Sequence, residues 1–423
     1  MAGVPTATAA QSEPPLTLAA VYRAVDSASP RVQAAAATRL AALARVPGAS
    51  RLPDPRVELQ LMNRSLPRFG LADPLGMNQI QVSQMFPIAG QLGLSGAAAS
   101  AAAAVVSAGA IEVIWEQRTL AAMAFYDIYE AGARISVARE TLRLLEDLVT
   151  TLTAMYSVGE AQQADVLRAQ LEIGRMSLAI ANMVSMERQM VARLNGLLNR
   201  PPQARAGTPV LPAFPLTVPA LDSLSDLAVA DRAMIRGGRE ALAEASFLER
   251  RARREIWPDL EIGVTYGQRP MPDGGTDRMM SFMVGASIPI WAGSRQLRMR
   301  DETGAMRLMA AADLTAMESD TRARIGEMVA ELERVREIGA MYRTMLLPQA
   351  EATVASAQAA YQVGSVDFMT LLDAIMAVNR YREEIIRLAS AEGKTFAELE
   401  MLTGHPLLSG YPAPTELSPG ARP

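Results

Sequence analysis

From Arg56 the chain alternates in polarity: Val57, Leu59 and Leu61 hold one set of positions, and Glu58 and Gln60 the other. Period two is the mark of a strand with one apolar face. Beyond a loop around Arg68–Gly76 that contains glycine and proline, the alternation resumes, with Ile80 and Val82 against Gln79, Gln81 and Ser83. Two such runs joined by a loop predict a hairpin. A second hairpin begins where Leu260, Ile262, Val264 and Tyr266 alternate with Glu261, Gly263, Thr265 and Gly267. After the loop Pro270-Met-Pro-Asp-Gly-Gly275, Phe282, Val284, Ala286 and Ile288 alternate with Ser281, Gly285 and Ser287. Both hairpins end alike, at Phe86-Pro-Ile-Ala-Gly90 and Ile288-Pro-Ile-Trp-Ala-Gly293, with proline where a strand stops. Four strands of roughly ten residues have the length of tilted membrane-barrel strands.

Elsewhere the period is helical. Residues 16–50 carry it, broken at Pro30 and ended near Pro47-Gly48, and Pro53-Asp-Pro55 punctuates the change to strand. The proline-free stretch from Ser95 to Tyr156 predicts about 60 residues of helix, roughly 90 Å long. Leu145, Leu148, Leu152 and Met155 form a coiled-coil seam within it. Similar seams follow at Ile173, Met176, Ile180 and Met183 in a return helix of about Gln163–Asn199, at Ile325, Met328, Leu332 and Val335, and at Val378, Tyr381, Ile385 and Leu388. Pro348 is expected to kink the second descending helix.

Two turns join these long helices: Tyr156-Ser-Val-Gly159 and Tyr361-Gln-Val-Gly364. In each the glycine supplies the left-handed conformation that ends a helix. The alignment of the two copies continues past the turn, setting Leu167 and Ala169 opposite Leu372 and Ala374. Such a repeat divides the chain into two structural halves. The expected organisation is a disordered segment 1–15, a first repeat 16–200, a proline-rich linker 201–221, a second repeat 222–404 and an irregular tail 405–423. Each repeat reads helix, β-hairpin, long helical hairpin; the second opens with a helix at about Asp222–Ile256. Two strands per half cannot close a barrel, so a membrane-inserted form must share strands between chains. The turns then lie at the end far from the membrane.

Composition narrows the chemistry. Hydrophobic residues make up 50% of the 423, yet only 5% are aromatic and alanine is abundant, which suits long, closely packed helices better than an enzyme core. Basic and acidic residues number 41 and 45, so no general polybasic signal points to nucleic acid. With no cysteine, disulfides, thiolate catalysis and Cys/His zinc sites are excluded. The single histidine, His405, lacks a visible partner and is not read as a metal ligand. There is no phosphate-cradling glycine loop, nucleophile elbow or paired His/carboxylate motif; neither a cofactor nor an enzymatic activity is expected. Of the apolar runs, Ser95–Ala110 comes nearest to a membrane-spanning helix, but it is mostly alanine and serine and is read as a packed helix. Residues 1–15 show no signal-peptide pattern, and Ala-Thr-Ala-Ala before Gln11 leaves a processed remnant open.

The 25 methionines are read mainly as flexible core filler. Met271, Met279, Met280 and Met283 form the one cluster worth testing for soft-metal contact. Arg250-Arg-Ala-Arg-Arg254 is read as a solvated, pair-forming helix face. Trp257 and Trp291 bracket the second strand pair, consistent with an interfacial aromatic girdle or with ordinary packing.

Taken together, Tyr156-x-x-Gly159 with Asp165 beyond it, Tyr361-x-x-Gly364 leading to Leu372-Asp-Ala374, Gln84-Met-Phe-Pro87…Gly90 and Pro258-Asp-Leu260 resemble the TolC-like outer-membrane efflux protein family, from about Leu16 to Leu402. Met62-Asn63-Arg64, Met77-Asn-Gln-Ile80 and Gln84-Met-Phe-Pro87 look most like the outer components of heavy-metal cation efflux systems. The resemblance implies a mainly α fold with membrane β: coiled-coil hairpins forming an α-barrel, and four strands per chain given to one trimeric, twelve-stranded β-barrel. It implies a homotrimer in the outer membrane of a Gram-negative-type cell, with a long periplasmic extension. Its function would be that of a passive channel in a tripartite efflux system, exporting metal cations ahead of drugs or organic solutes. The partners would be outer-membrane lipid, a periplasmic adaptor and an inner-membrane pump of the resistance-nodulation-division type. Tyr156, Val158, Gly159, Glu160, Tyr361, Val363, Gly364 and Ser365 would form the adaptor-docking tip. Asp373 matches a position where the family narrows its pore with acidic side chains; Thr370 stands at the other such position, and Asp367 is a candidate substitute. Against this, Asp165, Asp367 and Asp373 are also placed to cap or complement the N-terminal ends of the returning helices. The rival readings are the outer duct of a type I protein secretion or drug efflux system and, in another class, a non-channel periplasmic coiled-coil scaffold or adaptor.

Overall fold

The structure, a computed structural model, describes residues 15–63, 76–271, 273–408 and 410. The N-terminal segment up to residue 14, Arg64 with most of the first hairpin loop, Pro272, and the tail positions 409 and 411–423 lie outside the described residues. In chain order come β1 (Leu16–Thr17), α1 (Leu18–Ala28), α2 (Pro30–Ala49), β2 (Arg56–Met62), β3 (Met77–Phe86), α3 (Gln91–Ser157) and α4 (Gln163–Leu197). Then follow β4 (Pro209–Val210), α5 (Leu221–Asp231), α6 (Ala233–Ala252), β5 (Asp259–Pro270) and β6 (Thr276–Ser287). The last are α7 (Gln296–Met341), a π-helical turn (Tyr342–Leu346), α8 (Leu347–Gln362) and α9 (Phe368–Thr403). Two compact units divide them, each drawing on both halves of the sequence.

One unit holds Ala37–Gly109 and Met234–Met317. Its sheet is antiparallel throughout, in the order β2-β3-β5-β6. The two predicted hairpins therefore lie side by side, joined by β3 and β5. Beside the sheet, the alanine-rich start of α3 makes close helix contacts: Ala98, Ala101 and Ala103 are buried. A Cβ on Gly237 of α6 would stand 3.3 Å from that of Ala108, so small residues on both helices set their spacing. Residues 95–110 are thus a packed helix, as their composition predicts.

The other unit holds residues up to Ala36, Ala110–Ala233 and Glu318 onward. Its core joins α1, α3, α5, α7 and α9 through Leu18, Val25, Phe125, Tyr126, Leu224, Ile325 and Phe396, among others. The predicted α7 seam of Ile325, Met328, Leu332 and Val335 is buried in full. Two ion pairs also cross this unit: the buried Arg118 holds the half-buried Asp26 through two nitrogens, and the buried Arg232 holds the buried Glu112 at 2.8 Å while donating to Thr321 Oγ1 at 2.8 Å. Glu400 accepts hydrogen bonds from the backbone N–H groups of Leu407 and Leu408 at 2.9 and 3.0 Å, which ties the segment after α9 back onto it. Burial pushes its carboxyl above the usual range, and those two donors partly oppose the shift.

Three local expectations are corrected. The helix expected at about Asp222–Ile256 is two helices broken at Arg232, whose backbone leaves the helical region at φ −57° and ψ 126° and whose side chain pairs with Glu112. The linker carries a strand, β4, paired in parallel with β1. Farther along, Arg336 fastens it by donating to the carbonyls of Pro215 and Leu216. Lastly, His405 has a partner: its Nε2 lies 2.8 Å from the Asp231 carboxylate, a contact that sequence distance conceals. At Pro348 the expected disturbance takes the form of the π-helical turn. Proline lacks the N–H that would bond the preceding turn, and a wider turn absorbs the defect.

Candidate functional site

The register of the sheet sorts its side chains by row. Val57, Val82, Val264 and Phe282 stand opposite one another across the four strands, and Leu59, Ile80, Tyr266 and Met280 form the next row. All eight are exposed; the first row is 63, 46, 38 and 77% accessible. The alternate rows, Glu58-Gln81-Thr265-Ser281 and Gln60-Gln79-Gly267-Met279, form the other face. The apolar residues of a soluble sheet turn inward; here the apolar face is bare and the opposite face is polar. Edges β2 and β6 carry no further strand among the described residues. A bare apolar face of this extent needs lipid or protein to cover it. Alternation also splits the methionine group, with Met280 on the apolar face and Met279 and Met283 on the polar one. The four are therefore not one cluster.

At the helical turns the two sequence copies become the same backbone motif. Gly159 has φ +83° and Gly364 φ +72°. At the first turn Gly159 N–H bonds to Tyr156 O at 3.0 Å and Glu160 N–H to Met155 O at 2.9 Å. At the second, Gly364 N–H bonds to Tyr361 O at 3.0 Å and Ser365 N–H to Ala360 O at 2.9 Å. This is the Schellman pattern, in which the tyrosine's carbonyl, not its ring, is what the motif requires. The rings differ accordingly. Tyr156 is exposed, whereas Tyr361 is half-buried with its ring 6.1 Å from that of Phe368. Burial and the nearby Asp165 carboxylate push the Tyr361 phenol up. Val158 and Val363 occupy the same position in the two turns and are 71 and 78% exposed. Beneath the turns Leu145, Leu152, Ala169, Phe368 and Leu372 pack the two hairpins into one cluster.

The three aspartates have separate surroundings. Asp367 is the N-cap of α9: its carboxylate accepts from Thr370 N–H at 3.0 Å and from the Thr370 hydroxyl. Those two bonds hold its carboxyl below the usual range. The capping expectation is met at this residue, and Thr370 is its partner. Asp165 sits in the first turn of α4, 3.9 Å from Arg168. Asp373 is exposed on α9, in an open groove against α4 that Arg168, Arg175, Arg380, Glu172 and Glu383 also line. Three arginines and three carboxylates balance there, so the field of Asp373 is partly offset within one chain. Glu383 leads to a ladder that the sequence did not suggest. It accepts from Arg134 at 2.9 Å and from Asn379 Nδ2 at 3.0 Å, and Thr141 donates to Asn379 at 2.8 Å, joining α3 to α9.

No protein-family model and no curated protein sequence matches the chain. Solved structures do. The outer membrane protein VceC of Vibrio cholerae superposes with a TM-score of 0.79 at 17% identity, over 92% of this chain and 96% of that one. CusC, a protein of transmembrane channel formation, gives 0.79 at 15% identity, over 92% of each chain. The CmeC outer membrane channel of Campylobacter jejuni gives 0.76 at 11% identity, over 95% of this chain and 90% of that one. The chain has the fold of these outer-membrane channels.

Proposed function

We propose that the chain is one subunit of a passive outer-membrane channel, the outer part of a tripartite efflux system. The observation that carries this is the sheet: apolar and bare on one face, polar on the other, and open at both edges. Lipid tolerates neither an open edge nor an unpaired backbone group, so the edges must meet strands of further copies. Four strands from each of three copies make the twelve-stranded barrel that the family resemblance implies, with its polar face toward the lumen. In this reading the paired turns point into the periplasm, and Val158 and Val363, bare and equivalent, are docking points for an adaptor protein that leads to an inner-membrane pump. The solved structures named above are outer-membrane proteins or channels by description, which supports the same location. A soluble scaffold would have no use for rows of bare valine, isoleucine and phenylalanine on a sheet.

Metal cations are the proposed cargo, on the residues at Met77-Asn-Gln-Ile80 and Gln84-Met-Phe-Pro87. Asp373 is the proposed constriction residue, since a ring of carboxylates draws cations and narrows a channel electrostatically. Asp367 is tied into its helix cap and Thr370 is bonded to it, which makes both weaker candidates. Planar-bilayer recording tests the reading. The reconstituted protein should conduct with cation selectivity, and Asp373→Ala should raise conductance and weaken divalent-cation block. Inserted protein that does not conduct contradicts the channel, anion selectivity contradicts the cargo, and an unchanged variant removes Asp373 from the constriction.

A further inference from the structure

The sheet has two unlike ends. At one, β5 begins and β6 and β3 finish, since Asp259 pairs with Ser287 and Phe86 with Leu260. This end carries exposed Ile256, Trp257, Ile288, Ile290 and Trp291, so large apolar side chains stand bare just past the ends of the strands. Arginine follows at once on both sides. Arg254 is exposed and donates to the Ala89 carbonyl at 2.7 Å, which anchors it beside the end of β3. Arg295 is exposed one turn beyond Trp291, its N–H bonded to the Trp291 carbonyl at 3.1 Å. Neither pairs with a carboxylate among the described residues. The nearby Glu249 is already taken by Arg253 and Arg307, at 2.6 and 2.8 Å. In the β5–β6 turn, by contrast, Arg269 and Arg278 are matched in the sequence by Asp273 and Asp277.

Apolar strand rows, then tryptophan and isoleucine, then unpaired guanidinium is the order of a membrane interface read from tail to headgroup. We propose that Arg254 and Arg295 bind the phosphate of anionic glycerophospholipid headgroups in the leaflet on the helix side, with Trp257 and Trp291 seated at the acyl–headgroup boundary. The guanidinium fork matches a phosphate, and two separate points of attachment hold the sheet at a fixed depth. This inference rests on the sheet being in a membrane, and the test separates the two.

The full chain is reconstituted in nanodiscs of phosphatidylcholine with phosphatidylglycerol, with bromine on the acyl chains of one lipid or the other, and tryptophan emission is recorded. Trp115 is buried in the other unit, so quenching reports Trp257 and Trp291. Brominated phosphatidylglycerol should quench more strongly than brominated phosphatidylcholine at equal mole fraction. The variant R254Q/R295Q should lose that preference, by roughly fivefold for each charge removed, while phosphatidylcholine still quenches. R254K/R295K, which keeps the charge, should retain most of it and controls for folding. Equal quenching by both lipids, or an undiminished preference in R254Q/R295Q, overturns the headgroup site. Quenching by neither lipid overturns the membrane placement of the sheet and the headgroup site with it.

Discussion

Arg232→Ala should destabilise the protein by about 3–5 kcal/mol, the cost of breaking a buried ion pair from one side. Arg232 and Glu112 are 9 and 8% exposed, and the guanidinium contributes two hydrogen bonds to Glu112 and one to Thr321. The substitution takes from a buried carboxylate the counter-charge that Arg232 supplies. Removing both charges together costs less, because no lone ion then stays buried. Arg232→Met with Glu112→Leu should therefore recover much of the loss. Thermal melts in detergent, followed by circular dichroism, provide the comparison. A single variant as stable as the parent would show that the pair carries no structural weight.

Gly393→Ala should also destabilise, although alanine is the better helix former by up to ~1 kcal/mol. A Cβ at this position would lie 2.2 Å from a ring carbon of Tyr126, far inside contact distance. The ring has little room to retreat. Tyr126 is 0% exposed and packs against Phe125 and Phe214 at centroid distances of 5.2 and 6.4 Å. The backbones are held close as well, by Ser390 donating to the Tyr126 carbonyl and Thr119 to the Ala397 carbonyl, each at 3.2 Å. Overpacking of this kind costs about 1–3 kcal/mol and outweighs the gain in propensity. The same melts check it, and trimming the ring in Tyr126→Leu should restore Gly393→Ala toward the single Leu variant. A Gly393→Ala protein melting at or above the parent would mean that α3 and α9 are not this close.

What the sequence made legible is what depends on near neighbours. Period-two alternation located all four long strands and their apolar face, and the glycine of each Tyr-x-x-Gly turn located both helix reversals. The cap at Asp367 was equally visible, because its partner Thr370 is three residues away. The break at Arg232 was not, since arginine carries no helix-breaking signal of its own and the partner of its side chain, Glu112, is distant in the chain. The β1–β4 pair was hidden by its length of two residues, too short to show a period. The Asp231 partner of His405, the need for glycine at residue 393 and the Arg134–Glu383–Asn379–Thr141 ladder all arise from packing between helices far apart in sequence. Among the candidate site residues, the turn backbone was readable, but the contrast between the exposed Tyr156 and the half-buried Tyr361 was not. It depends on Phe368 packing against only one of them.

The central claim is that the bare apolar sheet is a membrane segment completed by other copies of the chain. Light scattering of the detergent-solubilised protein, corrected for bound detergent, measures this directly. Three chains of 45.3 kDa predict a protein mass of about 136 kDa, with aggregation once detergent is withdrawn. A well-behaved monomer of 45.3 kDa in detergent-free buffer would contradict the account.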